Sequence, residues 1–138
     1  VDEETGIITP IKYVVAVDCG VAINPELTKG QIIGALVNGI SYALTEEFKF
    51  GDNGKMLNPN FMEYRIPSTR DIPEIVPILV ETFEPTGPFG AKSVSEININ
   101  GPIPAIGNAI YDALGVRITS SPYSPEKVLK AIKESRKA

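Results

Sequence analysis

The sequence predicts an α+β fold, in which a mixed sheet packs with about three helices. Two stretches rich in valine and isoleucine, 11–17 and 75–83, have strand character. Residues 26–47 instead carry apolar side chains at helical spacing, and shorter helical patterns cover 104–114 and 124–137. With 138 residues, the chain has the length of one domain with a moderate core.

The first strand and the start of the long helix are predicted from local signals. Residues 1–6 have the composition of a turn, and the strand occupies 7–18. Cys19 follows as a small apolar residue that we expect to be buried at the strand end. Asn24 and Pro25 are the preferred residues for a helix N-cap and first helical position.

Three glycines interrupt the long helix at Gly30, Gly34 and Gly39. Each lowers helix stability relative to alanine, by roughly 1 kcal/mol. Glycines retained inside a helix indicate that a backbone or a ligand packs closely against that face. Ordinary packing of the helix on the sheet explains them equally well.

The second half of the chain alternates turns with shorter elements. Gly51–Gly54 is a turn signal, and 57–70 lacks any period, so we expect an extended connection. Pro77 favours an edge position or a strand start for the second strand. The remaining predictions are a short extended edge at 97–100, a helix C-cap at Gly115, a strand at 116–119 and a capped final helix from Ser124.

Composition excludes several classes of function. Thirteen basic and seventeen acidic residues give a formal charge of −4, so a nucleic-acid partner is not expected. No apolar run has the length of a membrane span. The single cysteine rules out an internal disulfide, and the absence of histidine rules out histidine triads and histidine metal sites. A reduced, cytoplasmic setting fits this composition, and any proton transfer must use carboxylates, lysines, tyrosines or a cofactor.

One loop and one helix start carry the candidate chemistry. The stretch from Gly87 to Glu96 holds small residues and leads into a single carboxylate, so Glu96 is the first candidate for a general base. Most loop glutamates, however, are solvated surface charges. Lys92 can hold an anion beside Glu96 or pair with an acid. Gln31 offers two donors and an acceptor to a heterocyclic edge, although a solvent-facing glutamine is the commoner situation.

A series of motifs in the same order resembles the molybdenum-binding subunit of the xanthine dehydrogenase/aldehyde oxidase family, the molybdenum hydroxylases. Val17–Pro25 is similar to the family's strand-to-helix junction, and Gly30–Gly34 to its helix start. The other matching segments are Tyr42–Glu47, Tyr64–Pro67, Asp71–Pro73, Gly90–Glu96, Ala109–Ala113 and Gly115–Ile118. The resemblance covers nearly the whole chain and implies that residues 1–138 are a single domain, the C-terminal segment of a larger molybdopterin-binding subunit.

The resemblance also implies roles for individual residues. Glu96 corresponds to the catalytic base, which takes a proton from a molybdenum-bound hydroxyl that attacks an aldehyde or an N-heterocycle, with water as the oxygen source. The expected molybdopterin contacts are Gln31, Lys92, Ser93, Val94 and Ser95, with no side chain as a metal ligand. The family commonly has glycine at the positions of Ser93 and Ser95, so two hydroxyls are added near the presumed molybdenum.

In the family, this segment supplies one wall of the site. The expected partners are the upstream part of the subunit, iron–sulfur and flavin (FAD) domains or chains, and a small-molecule substrate. A cytosine dinucleotide form of the molybdopterin is implied if the source is bacterial. The isolated chain is expected to be inactive. The alternative is a non-catalytic α/β interaction domain that retains the fold.

Overall fold

A computed structural model describes residues 1–137. The regular elements in chain order are strand β1 (Lys12–Asp18), helix α1 (Pro25–Leu44), strand β2 (Glu74–Val80), helix α2 (Pro102–Leu114) and helix α3 (Pro125–Ser135). Two 3-10 turns, Pro88–Gly90 and Ile97–Asn100, lie between β2 and α2. The predicted α+β fold with three helices is confirmed. The two strands run parallel.

The chain divides into two compact units. The sheet unit comprises Pro10–Gly39 and Pro73–Pro102. The helical unit comprises Val1–Thr9, Ile40–Ile72 and the segment that begins at Ile103. Helix α1 begins in the sheet unit and its last turn belongs to the helical unit.

In the sheet unit, one face of the strand pair packs on α1. The strands pair in register, with Val14 opposite Val76 and Ala16 opposite Ile78. Side chains alternate between faces, and the face toward α1 contributes Tyr13, Val15, Val17, Ile75 and Leu79 to a core with Ile32 and Leu36. Ile32 and Leu36 have no exposed surface, and burial of each contributes about 1.5–3 kcal/mol.

The start of α1 follows the sequence prediction. The Asn24 Oδ1 accepts a hydrogen bond from the Leu27 N–H at 3.1 Å, as an N-cap does. Cys19 is buried immediately after β1, as predicted. Local chemistry therefore fixes where this helix begins.

The predicted end of α1 at residue 47 is wrong, because the helix stops at Leu44. Glu46 instead accepts hydrogen bonds from the hydroxyls of Ser41 and Tyr64, the latter at 2.6 Å. Asn58 binds the same segment: its Nδ2 donates to the Glu47 carbonyl at 2.6 Å and its Oδ1 accepts from the Lys49 N–H. These contacts hold 46–49 in a non-helical path.

The C-terminal part of the helical unit is organised around Tyr123. Its hydroxyl donates to the Ile103 carbonyl at 3.1 Å, and its ring lies where a side chain at Gly107 would be. Helix α2 ends at Leu114, and the next residue, Gly115, has a φ of 69° and donates its N–H to the Tyr111 carbonyl, which confirms the predicted C-cap.

Two short predictions in the second half are wrong. Residues 116–119 form no strand; no strand of residues 1–137 pairs with them, although Val116 is buried. Residues 97–100 form a 3-10 turn rather than an extended edge. None of the helices in the described part of the chain has the length and apolarity that a membrane crossing requires.

Candidate functional site

The end of β1 and the loop after β2 are joined by backbone contacts in the sheet unit. The Lys92 N–H donates to the Cys19 carbonyl at 2.8 Å, and the Val21 N–H donates to the Gly90 carbonyl at 2.9 Å. Gly20 lies between them with a φ of 64°, and a Cβ there would be 2.4 Å from the Gly90 oxygen. Only glycine fits this conformation and this approach.

Asp18 holds the same junction through its side chain. Its carboxylate accepts from the Lys92 ammonium at 2.6 Å, the Thr82 hydroxyl at 2.8 Å and the Gly20 N–H at 2.9 Å. The Lys92 ammonium, followed by the Gly20 and Thr82 donors, lowers the pKa of Asp18 from 3.8 to about 2. Lys92 therefore pairs with an acid, one of the two options that the sequence left open, and the acid is Asp18.

Glu96 ends the loop that this junction anchors. Its side chain is exposed, and within residues 1–137 its carboxylate has neither a hydrogen-bond donor nor an ion-pair partner. Its carbonyl accepts from the Ile99 N–H at 3.0 Å, which starts the 3-10 turn at 97–100. The backbone of Glu96 is thus ordered while its carboxylate is available.

Gln31 and Glu96 line the same cavity. This open cavity has a volume of about 490 Å³, within the range of small-molecule sites. Its lining residues are Gln31, Gly34, Ala35, Val37, Asn38, Ser95, Glu96 and Ile99. Glu96 is the only ionisable group among them, so no positive charge in the lining neutralises its carboxylate.

A second cavity of about 260 Å³ adjoins the helix start. It is lined by Gln31, Lys92 and Val94, together with residues of the β1–α1 connection and Ala91. Gln31 therefore lines both cavities. Of the predicted site residues, Lys92 and Val94 line the smaller cavity, Ser95 and Glu96 line the larger one, and Ser93 is exposed and lines neither.

The three glycines of α1 divide into two kinds. A Cβ at Gly39 would lie 2.6 Å from the Pro102 ring and 2.7 Å from the Ile99 carbonyl, so this glycine allows the chain to pack on the helix. A Cβ at Gly30 or Gly34 would meet nothing within 4 Å. These two glycines leave a smooth, open helix surface beside Gln31.

One buried polar atom lies next to the site. Asn98 is 5% exposed, and its Nδ2 donates to no acceptor in the part of the chain that the structure describes. Buried amide groups almost always have partners. An acceptor from outside these residues would satisfy it.

Sequence reasoning missed the role of Asp18 and Thr82, which are 64 residues apart. An aspartate just before a glycine at a strand end is a signal for a side chain that binds nearby backbone, as Asp18 does to the Gly20 N–H. Nothing local identifies Thr82 or Lys92 as its partners. Over residues 1–137 there is no group of three or more cysteine, aspartate or glutamate side chains that could hold a metal ion.

Comparison with known proteins is consistent across sequence and structure. Residues 1–73 match the model of the molybdopterin cofactor-binding domain. A probable hypoxanthine oxidase of Escherichia coli is 40% identical over 97% of the chain and 14% of that protein. The gamma subunit of the 6-hydroxypseudooxynicotine dehydrogenase complex of Paenarthrobacter nicotinovorans is 37% identical over 99% of the chain and 18% of that subunit.

Among solved structures, the aldehyde oxidoreductase from Desulfovibrio gigas matches with a TM-score of 0.88 and 38% identity. The match covers 96% of the chain and 14% of that protein. The chain thus spans less than a fifth of the length of each of these relatives.

Proposed function

Because the chain belongs to the molybdopterin cofactor-binding domain family, we propose that it forms one wall of the active site of a molybdenum hydroxylase. In this proposal the complete enzyme oxidises an N-heterocycle or an aldehyde with oxygen from water. The carrying observation is the 490 Å³ cavity, which brings Gln31 and the unpaired Glu96 carboxylate to one surface.

The residues on this surface fit a molybdopterin. Gln31 presents an amide with two donors and one acceptor, the set that a pterin edge requires. Gly30 and Gly34 leave the helix beside it without side chains, so a planar ring can approach the backbone. The unpartnered Nδ2 of Asn98 is consistent with further polar groups from outside the described residues.

The molybdenum cofactor supplies the redox chemistry when it is bound. Gln31 would help to orient the group through its side-chain amide, and residues 92–95 would supply further contacts to it. The Glu96 carboxylate accepts the proton of the attacking oxygen, which raises the nucleophilicity of that oxygen. Iron–sulfur and flavin groups on other domains or chains would supply the onward electron transfer.

The junction at Asp18 supports this role of Glu96. The Lys92 ammonium is held by Asp18 at 2.6 Å and is not in the lining of the larger cavity. The lining of the larger cavity holds no cation that could pair with Glu96, so its carboxylate is available to act on a ligand in that cavity.

The alternative proposal, a non-catalytic interaction domain, would need neither feature. An exposed glutamate alone is compatible with such a domain, but a cavity that Glu96 shares with Gln31 beside an open helix face is not required by it. An internally paired Glu96 without a cavity would have favoured it. The observed arrangement favours the enzyme.

The test uses the native polypeptide or assembly that carries this chain. We expect Glu96→Gln to keep about one molybdenum per assembly and to lower kcat by roughly 10²–10⁴-fold, because the base is lost while the shape remains. We expect Gln31→Ala to lower the molybdenum content, measured by elemental mass spectrometry.

Glu81→Gln is the matched control, since Glu81 is an exposed carboxylate that lines neither cavity. It should retain both kcat and molybdenum. A Glu96→Gln enzyme that turns over at the parental rate would refute the assignment. A native protein of about 15 kDa without molybdenum would refute the proposed function as a whole.

A further inference from the structure

The face of the strand pair opposite α1 is apolar and uncovered. We call it the outer face; its residues are Val14, Ala16, Val76, Ile78 and Val80. Val14 is 55% exposed, Ile78 46% and Val80 43%. Alternation along each strand requires these side chains to point away from the core that α1 covers.

A parallel sheet with an open apolar face is unusual. Parallel strands occur almost only where both faces are covered, and their sequences are then apolar without alternation. Tyr13–Val17 and Ile75–Val80 have this composition, since neither contains a charged residue. The strands thus have the sequence of a sheet with a second covering layer.

Ion pairs frame the outer face at both ends. Lys12 and Glu74 pair at 3.0 Å where the strands begin, and Asp18 and Lys92 pair at 2.6 Å where they end. All four charges are satisfied within the chain. An apolar centre with a polar rim is the usual organisation of a protein interface.

The dimensions argue against a second copy of the chain as the cover. Two strands of seven residues present a surface of about 23 Å by 10 Å, or roughly 230 Å². A stable dimer buries about 800 Å² on each partner. The paired charges at the rim also offer nothing to a second copy of a chain whose net charge is −4.

We infer that the outer face is the docking surface for another protein layer of the same larger subunit, with aliphatic side chains opposite Val14, Ile78 and Val80. The length available for such a layer is large, because the chain spans only 14% to 18% of its relatives. The inference rests on the proposed function in one respect, that the chain works within a larger subunit. It assigns a covering partner to a surface outside both cavities.

Cysteine labelling in the native subunit or assembly tests this inference. Ala16→Cys, a change of little volume at the centre of the outer face, should react with a maleimide at least 100-fold more slowly in the native protein than in denaturant. Asp52→Cys, in the exposed turn at 51–54, is the control for an accessible position and should react in the native protein about as fast as in denaturant. The labelled peptides are quantified by mass spectrometry, so that other cysteines do not interfere.

Equal labelling of Ala16→Cys in the native and denatured states would overturn the inference. Efficient cross-linking of two copies of this chain by a short bismaleimide would also overturn it, since the cover would then be a second copy. Ile78→Cys provides an independent position on β2.

The labelling readout does not involve molybdenum or turnover. An outer face that labels freely in a protein that retains molybdenum therefore contradicts only this inference. A protected face in a protein without molybdenum defeats only the proposed function.

Discussion

Asp18 shows how one side chain can order a loop that begins far along the sequence. Its carboxylate binds Lys92, which is 74 residues away, as well as Thr82 and the backbone of Gly20. The loop that leads to Glu96 is therefore attached to the end of β1 by side-chain and backbone bonds together. Asp18 acts as a positioning residue, since it lines neither cavity.

We predict that Asp18→Asn destabilises the chain in a pH-dependent manner. The folded pKa of Asp18, about 2, lies below its ordinary value of 3.8, so the ionised carboxylate stabilises the fold. This contribution is present above about pH 4 and is lost as the pH falls toward 2. Denaturant unfolding of both proteins between pH 2 and 7 should show a difference that disappears at the acid end.

Asp52→Asn is the control for this experiment, because Asp52 is exposed in a turn. It should follow the parent across the whole range. A destabilisation by Asp18→Asn that is the same at pH 2 and pH 6 would mean that shape, and not charge, explains its effect.

At the scale of elements, helix α1 combines packing and an open surface. Its buried side, which includes Ile32, Leu36 and Ile40, faces cores of the protein. Gly39 admits Pro102 and the Ile99 carbonyl, whereas Gly34 borders the larger cavity. The same residue type therefore serves internal packing at one position and access from outside at another.

We predict opposite effects for alanine at these two glycines. Gly34→Ala should raise the free energy of unfolding by about 0.5–1 kcal/mol, because alanine favours the helix and the added methyl group meets nothing. Gly39→Ala should lower it by about 1–3 kcal/mol through overpacking. Denaturant titration of both variants measures the two changes.

In the native assembly, Gly34→Ala should also lower the molybdenum content, since the methyl group occupies the space that a ring would use. Gly34→Ala with increased stability and full molybdenum would contradict the proposed approach of the cofactor to this face.

The elements with local signals were predicted from the sequence, and those set by distant contacts were not. Asn24 and Gly115 mark helix ends through their own chemistry, so the start of α1 and the end of α2 were found. The end of α1 was misplaced because Tyr64, twenty residues beyond Leu44, holds Glu46. The 97–100 segment alternates like a strand, but Asn98 is buried in a 3-10 turn.

The site was predicted in outline by resemblance, and its assignment to this chain stays a proposal. The cavity that Gln31 shares with Glu96 could not be derived from spacing, because 65 positions separate the two residues. Local sequence patterns could not identify Asp18 as the partner of Lys92 either, because the two residues are 74 positions apart. From composition alone, Gln31 and Glu96 could belong either to a ligand site or to a solvated surface.

For the whole molecule, the main fact is the small share of its relatives that the chain represents. The larger cavity is an open surface lined by eight residues, whereas ligand sites usually bury 70–90% of a small molecule. Further walls must then come from elsewhere in a complete enzyme of the proposed kind.

We predict that the isolated 138-residue chain has no hydroxylase turnover and binds little or no cofactor. Incubation with molybdopterin, followed by gel filtration and molybdenum analysis, measures binding, and a dye-coupled assay with aldehydes and N-heterocycles measures turnover. The native assembly is the positive control. Measurable turnover by the isolated chain would contradict the proposal that it supplies one wall only.

Pro77 in β2 has a consequence for handling the chain alone. The Glu74 N–H donates to the Ile11 carbonyl, so the N–H groups of residues 76, 78 and 80 point toward β1, and position 77 faces the free edge. Proline has no N–H to offer there, which interrupts the hydrogen-bonding row that a foreign strand would need. Of the two edges of this sheet, the β1 edge alone keeps an uninterrupted row of N–H groups with which another strand could pair. Two unassembled chains could therefore pair through their β1 edges. The resulting dimer would have a β2 edge with Pro77 on each side, so we expect no further growth into fibrils.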